Sequence, residues 1–459
     1  MSHANSTPLT SASTIVAVST PPGVGGIAVV RLSGADAIAI AERHCQVPKD
    51  AHSVRFSTFR QDGEVVDEVV VTLFRAPHSY TGEDTVEIAC HGSQYVQQTI
   101  LLSLIASGAR MAEAGEYTRR AFLNGRLDLS QAEAVADLID SANAEQHRLA
   151  ISQLRGGYAH ELEELRQQLL ELTALIELEL DFSQEDVEFA DRGRLTSLVA
   201  TLDRRVSTLR QSFQWGNAIK RGIPVAIVGR PNAGKSSLFN ALLHDNRAIV
   251  SNIAGTTRDT LEEPFVINGI LFRMVDTAGL RHSDDPIEQE GMQRAVNAAA
   301  HADIVIYVHD ATQPYRQVHD DLQELQESVS LEDKHLLVVS NKMDLAEAIA
   351  PTPESGIALS AKEGAGMDTL TAAIVATARQ GRERLQHPDV LLSNVRHYEA
   401  LGNVAKALSQ VAAGLSDGTP ADLVAIDLRD ALHHLGTITG QVTTDEVLGT
   451  IFSRFCIGK

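Results

Sequence analysis

The chain has 459 residues, 44% of them hydrophobic, and its 39 Lys and Arg stand against 60 Asp and Glu, which gives a formal net charge of -21. This length predicts roughly two to four domains with hydrophobic cores. The negative net charge argues against a protein that binds nucleic acid without a partner, because phosphate contacts depend on Lys and Arg. Three widely spaced cysteines, Cys45, Cys90 and Cys456, favour a reducing compartment, so we predict a cytoplasmic protein with no targeting segment and no membrane span.

Residues 1–125 combine short apolar runs, such as 27–30 and 69–74, with turn-forming clusters such as PPGVGG at 21–26. Short apolar runs between turn signals are typical of strands. We therefore predict a small α+β domain at the start of the chain.

Residues 126–221 form the next predicted domain, and the sequence becomes helical from Ser130. Apolar residues recur at intervals of three and four between charged ones, at Leu162, Leu165, Leu169, Leu172 and Ile176. This periodicity is typical of an amphipathic helix, and we interpret the stripe as a packing face, not a binding surface.

Strand-like and helical runs alternate over residues 222–381, as expected of a doubly wound parallel α/β domain. The helical pattern returns over 382–459, so the α/β domain is predicted to be inserted into one helical domain. Such insertions are tolerated because domain termini usually lie close together at the surface. Movement in the inserted domain would then pass directly to the helices.

Residues 229–236 read GRPNAGKS, the pattern of a phosphate-binding loop. Its glycines let backbone N–H groups turn toward phosphate oxygens, Lys235 supplies positive charge to the β- and γ-phosphates, and Ser236 supplies a hydroxyl for Mg²⁺. GTTRD at 255–259, DTAG at 276–279, NKMD at 341–344 and SAK at 360–362 follow in order. This series predicts a guanine-nucleotide-binding GTPase.

The later motifs carry distinct expected roles. Asp276 can hold the metal through water, and Gly279 can donate its amide to the γ-phosphate. Asp344 can accept two hydrogen bonds from the guanine edge, which adenine does not offer. NKMD alone could be an ordinary turn, but it follows an apolar run at 336–339, where a base-recognition loop belongs.

One position departs from a Ras-like enzyme. Leu280 follows DTAG, where such an enzyme has a glutamine that orients the attacking water. Leucine cannot hydrogen-bond to water, so another group must position it.

The chain resembles the MnmE (TrmE) family, the GTPases of tRNA wobble-uridine modification, over nearly its whole length. Four segments carry the resemblance: PPGVGGIAVVRLSG at 21–34, SYTGEDTVEIACHG at 79–92, EYTRRAFLNGRLDLSQAEAV at 116–135, and FCIGK at 455–459. Without the other three segments, FCIGK would be interpreted as a disordered terminus. The resemblance implies an N-terminal folate-binding-like and dimerisation domain, a helical domain, and a G domain inserted in it.

The resemblance also implies a K⁺-stimulated GTPase. The motifs and the resemblance together assign GTP binding to Asn232, Ala233, Gly234, Lys235, Ser236, Ser237, Ser251, Thr256, Thr257, Asp276, Thr277, Ala278, Gly279, Asn341, Lys342, Asp344, Ser360, Ala361 and Lys362. The implied K⁺ ligands are Asn232, Ser251, Ile253 and Thr256, and the implied Mg²⁺ ligands are Ser236 and Thr257. Glu288 corresponds to the family's catalytic glutamate and acts beside Lys235, although the neighbouring Glu290 is an alternative.

A folate site is implied as well. By position, Arg31, Glu87, Arg126 and Lys459 would contact 5-formyl- or 5,10-methylene-tetrahydrofolate. Structural alternatives are open: Arg126 could pair with Asp128, and Glu87 could cap the turn near His91. Cys456 could act as a nucleophile or general acid, or it could simply pack.

The family implies a homodimer that works with a flavoprotein, MnmG (GidA), in a heterotetramer or larger complex. Together they would add a carboxymethylaminomethyl or aminomethyl group at C5 of the wobble uridine, with tRNA held mainly by the partner. A ribosome-assembly GTPase is the alternative, although it should carry a basic RNA-binding module. A regulator of membrane transport is a second alternative, and it would need transmembrane helices. A third alternative is that the folate-binding-like domain is a vestigial interaction module, which would bind no folate.

Overall fold

The computed structural model describes residues 13–181, 192–246, 263–275, 296–313, 315–329, 334–345, 356–383, 390–453 and 455–458. The chain forms two compact units, Met1–Ala136 with Gly436–Lys459, and Asp137–Leu435. The final segment therefore belongs to the same unit as the N-terminus. The domain boundaries given above stay predictions.

The elements, in chain order, are β1 (Ile15–Val18), β2 (Gly25–Ser33), α1 (Ala37–Glu42), β3 (Ser53–Gln61), β4 (Glu64–Phe74), β5 (Thr85–Gly92), α2 (Gln94–Ala106), β6 (Arg110–Met111), α3 (Glu116–Leu123), α4 (Leu129–Asp140), α5 (Ala144–Leu154), α6 (Gly157–Asp181), α7 (Arg192–Arg221), β7 (Ile223–Val228), α8 (Lys235–Asn246), β8 (Glu263–Ile267), β9 (Ile270–Met274), β10 (Ile304–Asp310), α9 (Tyr315–Ser328), β11 (His335–Asn341), β12 (Ile357–Ala358), α10 (Met367–Glu383), α11 (Val395–Asp417), α12 (Ala421–Thr439) and α13 (Asp445–Phe452).

The first unit contains a six-stranded sheet in the order β3-β4-β5-β2-β1-β6. The strands are antiparallel except for the parallel pair of β1 and β6. One face is apolar, and its residues form a core with Ile100 and Leu104 of α2. Buried and exposed residues alternate along β4, since Val69 and Val71 are buried while Val70 is exposed. Successive side chains of a strand point to opposite faces of the sheet, so one face is buried here and the other is exposed. This confirms the predicted α+β class of the N-terminal segment.

Long helices form one part of the second unit. The predicted stripe on α6 is buried, from Leu162 at 0% to Ile176 at 1% exposure, so it is a packing face as predicted. Helix α5 begins after Asn143, whose side chain accepts hydrogen bonds from two backbone amides of the first turn. Helix α11 ends at Asp417 and is capped by Gly418, whose left-handed backbone, with φ of +72°, terminates the helix.

A second six-stranded sheet, in the order β12-β11-β10-β7-β9-β8, forms the rest of this unit. All neighbours are parallel except β8, which is antiparallel to β9. Every residue of β7 is buried, with Val225 and Ile227 in one core and Ala226 and Val228 in the other. Burial on both faces is the mark of a doubly wound sheet, and the central β7 ends where such sheets bind ligands.

The connections between the α/β domain and the helices are held by side chains. Before the domain, the backbone carbonyl of Lys220 accepts a hydrogen bond from Gln146 at 2.9 Å. After it, the amide of Leu392 donates to Ser212 Oγ at 3.0 Å. The helices α7 and α11 on either side pack together. The insertion into the helical domain is therefore confirmed.

Candidate functional site

The phosphate-binding loop follows β7 directly and depends on glycine at two positions. Gly229 has φ of +146°, and a Cβ there would lie 2.1 Å from the carbonyl oxygen of Val308. Gly234 has φ of +94°, and its Cβ would lie 2.1 Å from Nδ2 of Asn341. Side chains at these two places would push the loop away from β10 and β11. Helix α8 begins at Lys235, as predicted, so its N-terminal amides face the loop.

Lys235 lies across this loop. Its Nζ donates to the carbonyl oxygens of Gly229 and Arg230, each at 2.8 Å. Burial lowers the pKa of the Lys235 ammonium below its usual value. Phosphate oxygens can replace the two carbonyls as acceptors of the Lys235 Nζ protons.

Asn341 joins three of the predicted motifs. It is 2% exposed, and its Nδ2 donates to the carbonyl oxygen of Ala233 in the phosphate loop at 3.0 Å. Its Oδ1 accepts the backbone N–H of Ala361 in SAK at 3.0 Å. The first residue of NKMD therefore fixes the phosphate loop and the SAK loop at the carboxyl end of the sheet.

The remaining base-recognition residues are held in the same place. Ser360 Oγ donates to Asp344 Oδ1 at 2.6 Å, which leaves the outer edge of the carboxylate available to a ligand. Lys342 has φ of +65° and donates from Nζ to Asp310 Oδ2 at 2.7 Å. NKMD is thus more than a surface turn, because its side chains connect to two other loops.

Sequence reasoning missed Asp310, His309 and Asp321. Asp310 ends β10 beside Lys342, and although burial opposes its ionisation, hydrogen bonds from Lys342 and Thr312 lower its pKa. His309 Nε2 lies 2.7 Å from Ser340 Oγ, directly before the base-recognition loop. The only local signal was the sequence His-Asp-Ala-Thr after an apolar run, a pattern that marks a strand end.

Asp321 on α9 binds the phosphate loop from outside. Arg230 Nε donates to Asp321 Oδ2 at 2.7 Å, and Tyr307 donates its hydroxyl proton to the same carboxylate at 2.7 Å. The backbone carbonyl of Arg230 also accepts a hydrogen bond from Lys235 Nζ. The triad of Arg230, Asp321 and Tyr307 therefore positions the part of the loop that binds the Lys235 ammonium. Nothing in the sequence pairs Arg230 with a residue so distant in the chain.

Several predicted residues lie outside the described ranges. They are Ser251, Ile253, Thr256, Thr257, Asp276, Thr277, Ala278, Gly279, Leu280, Glu288, Glu290 and Lys459. Of the predicted metal ligands, Asn232 and Ser236 are described. Asn232 has φ of +61°, a left-handed conformation that asparagine tolerates better than most residues.

In the first unit, Arg31 and Glu87 face each other across β2 and β5. Arg31 Nε donates to Glu87 Oε1 at 2.8 Å. The guanidinium carbon lies 5.8 Å from the ring centroid of Tyr80 and 5.6 Å from that of Tyr117. Two rings and a carboxylate therefore fix the arginine on the face of the sheet opposite the α2 core.

Arg126 lies beside the segment between β4 and β5 that carries Tyr80, since a Cβ on Gly82 would lie 3.3 Å from its Cγ. Within the described residues, no ion pair joins Arg126 to Asp128, whose Oδ1 accepts from Ser130 and Gln131 instead. Glu87 does not cap a turn near His91 either, because it lies within β5 and His91 binds Asp67. Both structural alternatives were wrong.

The tail is ordered against the N-terminal segment. Phe455 is buried, Ile457 forms a bridge with Ala114, and the amide of Gly115 donates to the carbonyl of Cys456 at 3.3 Å. A disordered terminus is therefore excluded for residues 455–458. The thiol of Cys456 is free and exposed, so it does not pack, whereas Cys45 and Cys90 are free and buried.

In the described part of the chain, no group of three or more His, Cys, Asp and Glu side chains could hold a metal ion. No helix among the described residues has the length and apolar character required to cross a membrane.

Two family models and full-length relatives match this chain. Residues 14–126 match the model described as GTP-binding protein TrmE N-terminus, and residues 129–456 match the MnmE helical domain. The tRNA modification GTPase MnmE of Parabacteroides distasonis is 50% identical over 97% of this chain and 100% of its own. That of Bacteroides thetaiotaomicron is 46% identical over 97% and 99%. Among solved structures, the G domain of the T. maritima FeoB iron transporter covers 34% of this chain and 98% of its own at 27% identity, with a TM-score of 0.24. The chain therefore belongs to the MnmE (TrmE) family of tRNA modification GTPases.

Proposed function

We propose that the protein hydrolyses GTP and, with a flavoprotein partner, adds a carboxymethylaminomethyl or aminomethyl group at C5 of the wobble uridine of certain tRNAs. The observation that carries the GTPase part is the pair of hydrogen bonds from Asn341, which assembles the phosphate loop, NKMD and SAK into one site. Relatives of 50% and 46% identity that cover 97% of this chain, both named tRNA modification GTPases, support the tRNA part.

Guanine selectivity follows from the described carboxylate. Ser360 holds one oxygen of Asp344, and the carboxylate can accept hydrogen bonds from guanine N1–H and the 2-amino group. ATP presents no such donor pair, so we expect GTP and GDP to bind and ATP to bind far more weakly. Lys235 would pair with the phosphates, and Glu288 would orient the attacking water in place of Leu280.

The same site would use Mg²⁺ and K⁺. Ser236 and Thr257 would hold Mg²⁺, and Asn232, Ser251, Ile253 and Thr256 would hold K⁺. A bound K⁺ supplies positive charge where charge develops between the β- and γ-phosphates. Asn232 supports this assignment, because its left-handed backbone is part of the loop that contacts phosphate.

The test is steady-state GTP hydrolysis in KCl and in NaCl at equal ionic strength. Asn232→Gly removes the side chain while glycine keeps the left-handed backbone, so we expect loss of K⁺ stimulation without loss of folding. Asn268→Gly is the matched control, since Asn268 is also left-handed, with φ of +49°, and glycine keeps that backbone. Equal rates in both salts for the wild type would refute the K⁺ proposal and favour a ribosome-assembly GTPase.

A tetrahydrofolate would bind the first unit. Arg31 and Arg126, with Lys459, could pair with its carboxylates, and Glu87 could accept from the pterin amino edge. The side chains present suit such a ligand: Glu87 Oε1 accepts a hydrogen bond from Arg31, and the aromatic rings of Tyr80 and Tyr117 lie beside the Arg31 guanidinium. A bound folate would supply the one-carbon unit, and these residues would bind and orient it.

Calorimetry with 5-formyl-tetrahydrofolate tests this site. We expect binding to the wild type that Arg31→Ala abolishes. Arg75→Ala is the control, because Arg75 forms a surface ion pair with Asp84 at 3.1 Å. Heat from neither the wild type nor Arg31→Ala would mean that the domain is a vestigial interaction module.

We also propose a homodimer through the β3–β4 part of the first sheet, on the face opposite the α2 core. Phe56 and Val70 are opposite each other on β3 and β4, and both are exposed. Exposed apolar residues in a row on a sheet favour an interface. We expect Phe56→Asp to shift the protein toward monomer in sedimentation velocity. Leu102→Asp on α2 is the control, with 62% exposure against 66% for Phe56.

A net charge of -21 agrees with a division of labour in which the flavoprotein MnmG holds most of the tRNA. We expect weak, salt-sensitive tRNA binding by this chain alone and tighter binding by the complex. Filter binding at two salt concentrations measures both. Tight, salt-resistant binding by the chain alone would contradict the proposal. The three free cysteines suit the proposed cytoplasmic location.

A further inference from the structure

A cavity of about 160 Å³ lies in the first unit, between the residues at the start of α3 and helix α13. The lining residues that matter are Glu113, Glu116, Arg119, Gly449, Phe452 and Ser453. The volume corresponds to roughly five water molecules in the liquid. It can therefore hold a small molecule of a few heavy atoms.

Arg119 is the charged wall of this cavity. Its Nε is buried and has no hydrogen-bond partner within the described residues. Its ion pair with Asp445 is long, at 3.9 Å, and the Asp445 side chain is 97% exposed. A buried donor without a partner is unfavourable, so this guanidinium is suited to an anionic ligand.

The neighbouring arginines are already paired. Glu116 accepts hydrogen bonds from Arg110 Nη1 at 2.9 Å and from Arg120 Nη2 at 3.0 Å. Although burial opposes it, these hydrogen bonds lower the pKa of Glu116. Glu116 is thus neutralised by two cations, and Arg119 is the guanidinium with unused donors.

Glu113 supplies the opposite charge. Its backbone amide donates to Glu116 Oε2 at 2.9 Å. Its exposed carboxylate interacts electrostatically with Arg110, with no hydrogen bond between them among the described residues. The cavity therefore presents one cation and one anion. A ligand with both a carboxylate and an ammonium would match both.

Gly449 leaves the space open. A Cβ built on it meets no atom within 4 Å, although it lies inside α13, where alanine would favour the helix. A larger residue would extend into the cavity. The free volume thus depends on this glycine.

We propose that this cavity binds a small α-amino acid, with Arg119 pairing its carboxylate and Glu113 its ammonium. The inference rests on the proposed function, because a carboxymethylaminomethyl group contains an amine bonded to CH₂–COO⁻ and its source must carry both groups. Glycine is the smallest molecule that does so, and it fits the volume.

The test is a titration of the full-length protein with ¹³C-glycine followed by NMR. We expect saturable binding that weakens at least tenfold in Arg119→Gln and in Gly449→Leu, and is unchanged in the control Arg75→Gln. Gly449→Ala, which adds one methyl group, replaces the leucine variant if that one does not fold. Acetate and methylamine, each with half of the charge pattern, should bind more weakly than glycine.

No glycine binding by the wild type, or equal binding by Arg119→Gln, would overturn the proposal. Acetate binding as tight as glycine would overturn the amino-acid assignment in favour of a plain anion site. GTP hydrolysis is measured on the same samples. Retained hydrolysis without glycine binding refutes this inference alone, whereas absent hydrolysis in the wild type refutes the proposed function.

Discussion

Replacing Asn341 with alanine tests how the nucleotide site is assembled. The change removes the hydrogen bond to the Ala233 carbonyl and leaves the buried N–H of Ala361 without its acceptor. A hydrogen bond contributes about 1 kcal/mol net, and a buried unsatisfied group costs about 1–3 kcal/mol. We therefore expect Asn341→Ala to destabilise the G domain by about 2–4 kcal/mol even without nucleotide.

The assay is urea unfolding of the nucleotide-free protein followed by tryptophan fluorescence. The chain has a single tryptophan, Trp215, which packs against the core of the G domain. Lys342→Ala is the adjacent control, because its ion pair with Asp310 is part-exposed and such pairs contribute about 0–1 kcal/mol. If Asn341→Ala unfolds within about 0.5 kcal/mol of the wild type and loses only GDP affinity, the structural role assigned to Asn341 is refuted.

Three further predictions concern other buried features. Burial lowers the pKa of His309 below 6.5, so the unfolded state binds a proton at this histidine before the folded state does as pH falls. The free energy of unfolding should therefore decline below about pH 6.5, by at most about 1.4 kcal/mol per pH unit. His309→Gln should flatten that part of a stability–pH curve. Arg120→Met leaves Glu83 and part of Glu116 unpaired in a buried network and should lower the free energy of unfolding, measured by calorimetry, by about 3–5 kcal/mol. The control Arg75→Met should lower it by under about 1 kcal/mol, and equal losses in the two variants would contradict the burial argument. Gly216→Ala places a Cβ 2.2 Å from the Leu392 carbonyl oxygen and should lower Tm, whereas Gly402→Ala places its Cβ 3.7 Å from the nearest atom, in the Arg210 side chain, and should leave Tm unchanged or raised. Similar Tm values for the two variants would show that the backbone at Leu392 moves away at little cost.

Local patterns in the sequence were sufficient for the elements. The three- and four-residue spacing of Leu162 to Ile176 predicted a helix with a buried face, because helical periodicity is a property of neighbouring residues. GRPNAGKS predicted a strand end, a glycine-dependent loop and a helix that begins at Lys235. Each of these depends on residues within a few positions of one another. The order of the motifs and four family segments then sufficed for the family.

The contacts that make the sites required the tertiary structure. Asn341 binds Ala233 across 108 positions, and Arg31 pairs with Glu87 across 56. Sheet register sets the pairing of Arg31 with Glu87, and the order of strands in the second sheet brings Asn341 to the phosphate loop. Register and strand order depend on how whole strands pack, not on local spacing. The cavity beside Arg119 exists because α13 returns to the N-terminal segment, and the sequence of neither segment shows that approach. Sequence spacing therefore determined which residue types were available, and long-range packing decided which of them meet.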